Sequence, residues 1–174
     1  MTNFNLTTPL DSFERELTDL FPRLRRLAHA LTRSAAEADD LAQGSVERIL
    51  RARAQWIPGT RFDAWAFRIM RNLWIDTTRA HSRSQSRLAP EEAGLNIGQD
   101  PRGQIEARAE LATLIQAMNR LPGEQREVIA LVAIDGLGYA EAADVLGLPI
   151  GTVSTRMARG RRALLALLGG GNGD

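Results

Sequence analysis

Apolar residues recur along most of this chain at spacings of three and four, the stripe that an amphipathic helix turns toward a core. Leu17, Leu20, Phe21, Leu24, Leu27 and Leu31 form the first stripe, and Pro22 within it predicts a kink or a restart. The same period runs through Leu41, Val46, Ile49 and Leu50, and again through Phe62, Trp65, Ile69 and Leu73. It resumes at Leu111, Leu114, Ile115 and Met118, breaks at "LPGEQ", and resumes at Val128, Ile129, Leu131 and Val132. No alternating strand pattern and no internal repeat interrupts it. Residues 81–104, "HSRSQSRLAPEEAGLNIGQDPRGQ", are rich in Ser, Gly, Pro and charge and have no apolar face, so they read as a flexible linker. The expectation is an all-α protein of two small helical domains, residues 1–80 and 105–168, with a linker over 81–104 and a disordered tail over 169–174.

The stretch "GYAEAADVLGLPIGTVSTRMARGRRAL" carries the order that a helix-turn-helix needs. Ala143 permits close approach on the first helix, Gly147 suits the positive φ of the turn, and Val153 anchors the second helix back onto the first. Tyr139, Ala142, Val145 and Leu146 give the first helix an inner face; Ile150, Val153, Met157, Leu164 and Leu168 give the second a stripe. At 100° per residue the opposite side displays Thr152, Thr155, Arg159 and Arg162, flanked by Ser154, Arg156 and Arg161. Short hydroxyls reach base edges or phosphates, and Arg grips guanine through two hydrogen bonds. The spacing of Ala, Gly and Val alone fits a structural helical hairpin equally well; the acid-free Arg face favours DNA. Arg156 is expected to read a base, and Arg162 to meet phosphate.

Charge sharpens this picture only once it is divided along the chain. The formal net charge is +1 and every strong cation is Arg. Between residues 61 and 87 six arginines stand against Asp63 and Asp76, and residues 150–168 carry Arg156, Arg159, Arg161 and Arg162 with no acid. Both segments suit a polyanion. In "RFDAWAFRIMRNLWIDTTR" a core stripe of Phe62, Trp65, Ile69 and Leu73 runs beside a second apolar line of Phe67, Met70 and Trp74, with Arg68, Arg71, Asn72 and Arg79 on the remaining side. Aromatics interleaved with cations suit single-stranded nucleic acid, although Trp65 and Phe67 also fit a core role. Trp56, Arg61 and Phe62 flank the turn "WIPGTRF", where a loop could hold a flipped base.

The chemistry that is missing narrows the function classes. With no cysteine and only His29 and His81, neither a thiolate site nor a histidine-rich metal site is expected, and no cofactor. No Gly-rich phosphate loop and no nucleophile beside a base is found, which argues against an enzyme. No apolar run approaches a membrane span and the first residues lack a leader pattern, so a cytoplasmic location without membrane insertion is expected.

Taken in order, "DDLAQGSVERIL", "FDAWAFRIMRNLWIDTTR" and "LPGEQREVIALVAIDGLGYAEAADVLGLPIGTVSTRMARGRRAL" resemble a bacterial RNA polymerase sigma factor of the extracytoplasmic-function group. The resemblance implies an initiation factor that binds core polymerase, opens the minus-ten element through its first domain and docks its second on the minus-thirty-five element. It also implies an anti-sigma partner that covers apolar surfaces such as Phe67, Met70 and Trp74, left partly exposed in a free monomer. Carried over by position, Asp39, Asp40, Gln43 and Glu47 would face core polymerase. Trp56, Arg61, Phe62, Arg68, Arg71, Asn72 and Arg79 would meet the minus-ten element. Thr152, Ser154, Thr155, Arg156, Arg159 and Arg162 would meet the minus-thirty-five element. Gly44 departs from the pattern, which has Glu after that Gln, and Gly138 stands where a hydroxyl residue is usual before Tyr139. A sigma-mimicking adaptor and a dimeric helix-turn-helix repressor are the alternatives; a symmetric homodimer on palindromic DNA would favour the latter.

Overall fold

A computed structural model describes residues 11–85 and 103–169. Among them run α1 (Ser12–Leu31), α2 (Ala35–Arg51), α3 (Phe62–Gln85), α4 (Gly103–Arg120), α5 (Gly123–Ile129), α6 (Tyr139–Leu146) and α7 (Ile150–Gly169). A short 3₁₀ turn, Arg53–Gln55, follows α2, and a π turn, Ala130–Ile134, extends α5. No strand occurs among the described residues. The helices fall into two regions, α1–α3 and α4–α7. Helix α3 continues to Gln85 and α4 begins at Gly103, so both enter the stretch read as linker. Most of that stretch, 86–102, and the tail at 170–174 lie outside the described residues.

Local signals set the helix ends. Asp11 Oδ1 accepts from the Glu14 backbone N–H at 2.9 Å while the Glu14 carboxylate accepts from the Asp11 N–H at 3.2 Å, a reciprocal cap that starts α1. Ser34 Oγ accepts from the Glu37 N–H at 3.2 Å and starts α2. The helix does not restart at Pro22: α1 is one helix with that proline inside it.

In the first region Leu17, Leu20, Leu24 and Leu27 of α1 are buried together with Ile49 of α2 and Phe67 and Met70 of α3. Phe13 closes one end, its ring edge-on to Trp56 and Phe62 at centroid distances of 5.7 and 5.3 Å. In the second region Val128 and Ile129 of α5, Val145 and Leu146 of α6, and Val153 and Met157 of α7 form the centre.

The two cores are continuous. Leu27, Leu31 and Phe67 line one small void with Leu131, Val145 and Leu146. This contact inverts the expected faces of α3: Phe67, Met70 and Trp74 are 1%, 0% and 8% exposed, whereas Trp65, Ile69 and Leu73 are only partly buried. The expectation that Phe67, Met70 and Trp74 stay partly exposed for an anti-sigma partner is therefore corrected: they are buried within the chain itself, Phe67 against the second region.

Candidate nucleic-acid interface

Helix α2 turns Asp39, Asp40, Gln43 and Glu47 to solvent along one face. Asp39 pairs loosely with Arg25 at 3.5 Å, and Gln43 donates to Glu47 at 3.4 Å. Where the sequence pattern of the group has Glu, Gly44 packs against α3: a β-carbon there would stand 3.0 Å from Leu73 Cδ2. Asp40 and Gly44 also border an open cleft of about 670 Å³ between the regions, with Trp74, Thr78, Asn119 and Arg126 across it.

The helix-turn-helix forms as its spacing predicts. Gly147 ends α6 in the left-handed region at φ 64°, a conformation that costs an L side chain but not glycine. The Leu148 N–H then reaches the Ala143 carbonyl at 3.0 Å, and Val153 is fully buried. Gly138 caps α6 without a side chain; instead Glu141 accepts from its N–H at 2.7 Å. Tyr139 and Ile150, both expected on inner faces, are 37% and 54% exposed. On α7 Ser154, Thr155, Arg159 and Arg162 are exposed and Thr152 is half-buried. Thr155 Oγ1 donates back to the Gly151 carbonyl at 2.9 Å. Arg156, expected to face DNA, bends toward α5 instead, 2.9 Å from Glu124 and 3.6 Å from Glu127.

The expected minus-ten residues divide in two. Phe62, 3% exposed, belongs to the aromatic cluster with Phe13 and Trp56, so the idea that it flanks a flipped base is corrected: its ring is committed to the core. Trp56 is half-buried in the same cluster, and its Nε1 has no hydrogen-bond partner. Asn72 and Arg79 are exposed on α3. Arg61, Arg68 and Arg71 face the second region. Arg61 lies 2.6 Å from Glu141 Oε1, Arg68 donates to the Asp144 carbonyl at 3.1 Å, and Arg71 Nε lies 2.8 Å from Glu127 Oε2.

Those acidic partners escaped the sequence reading, because a lone Glu on an amphipathic helix looks like ordinary solvated surface. Two further residues escaped it as well. Arg23 of α1 bonds both oxygens of Asp135 at 3.0 and 2.7 Å. The Asp135 hydrogen bond raises the pKa of Arg23, burial opposes the rise, and the Asp135 and Asp63 charges add to it. Arg126 is 6% exposed and has no carboxylate within ion-pair distance among the described residues; it donates to the carbonyls of Met118, Leu31, Asn119 and Leu121 at 2.7 to 3.1 Å. Burial, followed by the nearby charge of Arg33, lowers its pKa. The "LPGEQR" break, where carbonyls are left unpaired at a helix end, was the available signal for it.

These elements define a helix-turn-helix protein with a second helical region whose cationic helix lies against it. Residues 17–84 match Sigma-70 region 2 and residues 111–164 match Sigma-70, region 4. The ECF RNA polymerase sigma factor EcfG of Rhodopseudomonas palustris is 34% identical over 158 residues, covering 91% of this chain and 86% of that protein. SigE of Mycolicibacterium smegmatis, also an ECF sigma factor, is 36% identical over 144 residues; the match covers 82% of this chain but 56% of that longer relative. The sigma factor RpoE of Bartonella quintana, solved with the anti-sigma factor NepR, superposes with a TM-score of 0.79 at 29% identity, covering 92% of this chain and 98% of that one. The chain belongs to the ECF RNA polymerase sigma factor family.

Proposed function

We propose that this chain binds core RNA polymerase, directs it to particular promoters and helps open the minus-ten element. The observation that carries the reading is the presence of Sigma-70 regions 2 and 4, in that order, with a cationic, acid-free α7 surface on the second. Residues 1–80 form the polymerase and minus-ten domain, and 105–168 the minus-thirty-five domain. Asp39, Asp40, Gln43 and Glu47 bind polymerase through the exposed face of α2. Arg61, Arg68, Arg71, Asn72 and Arg79, with the rim of Trp56, receive the minus-ten strand, where cations pair with phosphates and rings stack on bases. Thr152, Ser154, Thr155, Arg159 and Arg162 meet the minus-thirty-five element, and Arg156 joins them once released from α5.

The role is that of an initiation factor rather than an enzyme, acting as a monomer in the cytoplasm. No described helix is long and apolar enough to cross a membrane. Control by an anti-sigma factor is proposed by likeness to the Bartonella quintana complex. The test is transcription in vitro with purified core polymerase and templates selected from a random pool. Transcripts that start at a common selected motif only when the chain is added are expected; their absence overturns the reading.

A further inference from the structure

Two of the second region's helices present acids to the first: Glu127 on α5, and Glu141 and Asp144 on α6, whose spacing of three places them on one face; Glu124 of α5 turns instead to Arg156 of α7. Opposite them stand Arg61, Arg68 and Arg71. These pairs are not equivalent. Arg61 and Glu141 are each 44% exposed, and Arg68 and Asp144 more so, a setting in which ion pairs are weak. Glu127 is different. Its side chain is 7% exposed and takes Arg71 at 2.8 and 3.3 Å through two nitrogens, while Arg156 approaches at 3.6 Å from the other side. One buried carboxylate thus holds an arginine from the first region's cationic helix and another from the helix-turn-helix.

We propose that Glu127 is an autoinhibitory latch: it occupies Arg71 and Arg156 as a DNA phosphate would, and so keeps the two regions closed and both DNA-binding faces engaged with the chain itself. This rests on the assignment of those arginines to promoter DNA made above. A carboxylate and a phosphate compete for the same guanidinium fork, so DNA cannot take Arg71 until Glu127 releases it. Opening is opposed because it would also uncover Phe67, Leu131 and Val145, and it is repaid when polymerase or DNA supplies new partners. Glu127→Gln keeps the shape and removes the charge, leaving the half-buried Arg71 guanidinium without compensation while Arg156 keeps Glu124 at 2.9 Å.

The experiment uses the full chain with dyes on cysteines introduced by Asp19→Cys and Ala158→Cys, exposed positions on α1 and α7 in a chain that has no cysteine of its own. Energy transfer between the dyes reports closure. Fluorescence anisotropy of a random-sequence duplex with a single-stranded oligo(dT) tail reports DNA binding without polymerase. Glu127→Gln is expected to lower transfer and to tighten binding of this probe about tenfold, while holoenzyme binding to the same probe changes less than about twofold. Unchanged transfer overturns the latch. Lower transfer with unchanged probe binding overturns the competition, and with it the assignment of these arginines to DNA. Should Glu127→Gln fail to fold, Glu127→Asp, which keeps the charge but withdraws it from Arg71 by one methylene, makes the same test with the same outcomes.

Discussion

Gly160 of α7 lies so close to Ile129 of α5 that a β-carbon on it would stand 2.7 Å from Ile129 Cδ1 and 3.2 Å from Gln125 Cβ. Alanine in a helix interior ordinarily gains about 1 kcal/mol over glycine. Here the gain is outweighed, because Ile129 is buried and Gln125 Cβ cannot rotate away. Gly160→Ala is expected to cost a net amount of about 1 kcal/mol in urea denaturation. Gly151→Ala, which meets nothing within 4 Å, is expected to stabilise by up to about 1 kcal/mol. A stabilised Gly160→Ala would disprove the close approach.

Gly44 offers the opposite case. Its close neighbour is the movable end of a half-buried Leu73, so a side chain can be accommodated at little expense. Gly44→Glu is expected to leave stability within about 0.5 kcal/mol, since helix propensity offsets the displacement of Leu73, and to tighten core polymerase binding by adding a carboxylate to the acidic face. Competition against a labelled sigma factor measures it. Conversely, Asp40→Lys with Gln43→Lys should weaken polymerase binding at least about tenfold, roughly 1.4 kcal/mol, without lowering the thermal midpoint.

Recognition-helix contacts should separate by salt and sequence. In holoenzyme Arg159→Ala is expected to cost about 1–3 kcal/mol on the preferred minus-thirty-five sequence and to relax preference at one base pair. Arg162→Ala should weaken all sequences alike and reduce the salt slope by about one. Binding across single-base variants at several salt concentrations distinguishes them.

Arg126→Met removes the donor shared by four main-chain carbonyls and is expected to cost about 3 kcal/mol in urea unfolding. Arg126→Lys should recover little of it, because a point ammonium cannot span the positions that a planar fork reaches.

Acid should act through Asp63. Burial raises the pKa of this carboxyl, but Arg61, the Ala64 N–H and Arg23 together more than offset that and hold it below the ordinary 3.8. With the folded value depressed, the contribution is present above the ordinary value and lost as pH falls through the folded one. Asp63→Asn should therefore flatten the decline in stability below about pH 4, as read by thermal melts across pH.

Helix period and turn chemistry are local, and they were legible: the stripes of α1 and α2, apart from Phe21 and Leu50, which are 41% and 48% exposed, the break before Gly123 and the Ala143, Gly147 and Val153 turn all lie in contiguous residues. The faces of α3 were not. Two apolar lines run side by side there, and which one is covered depends on α5 and α6, some sixty residues away. The intramolecular partners of Arg156 were hidden for the same reason, since helical geometry shows where it emerges but not the carboxylates at Glu124 and Glu127 that bend it back. The acidic face of α2 was legible because nothing among the described residues covers it.

The grip of Arg126 on the Leu31 carbonyl gives the seam between the regions an asymmetric chemistry. A buried guanidinium bonded to neutral carbonyls depends little on charges that dissolved ions can shield, whereas the Arg61–Glu141 and Arg68–Asp144 pairs at the far end are wet and readily shielded. Rising ionic strength is therefore expected to loosen the seam first beside α6, at these exposed pairs.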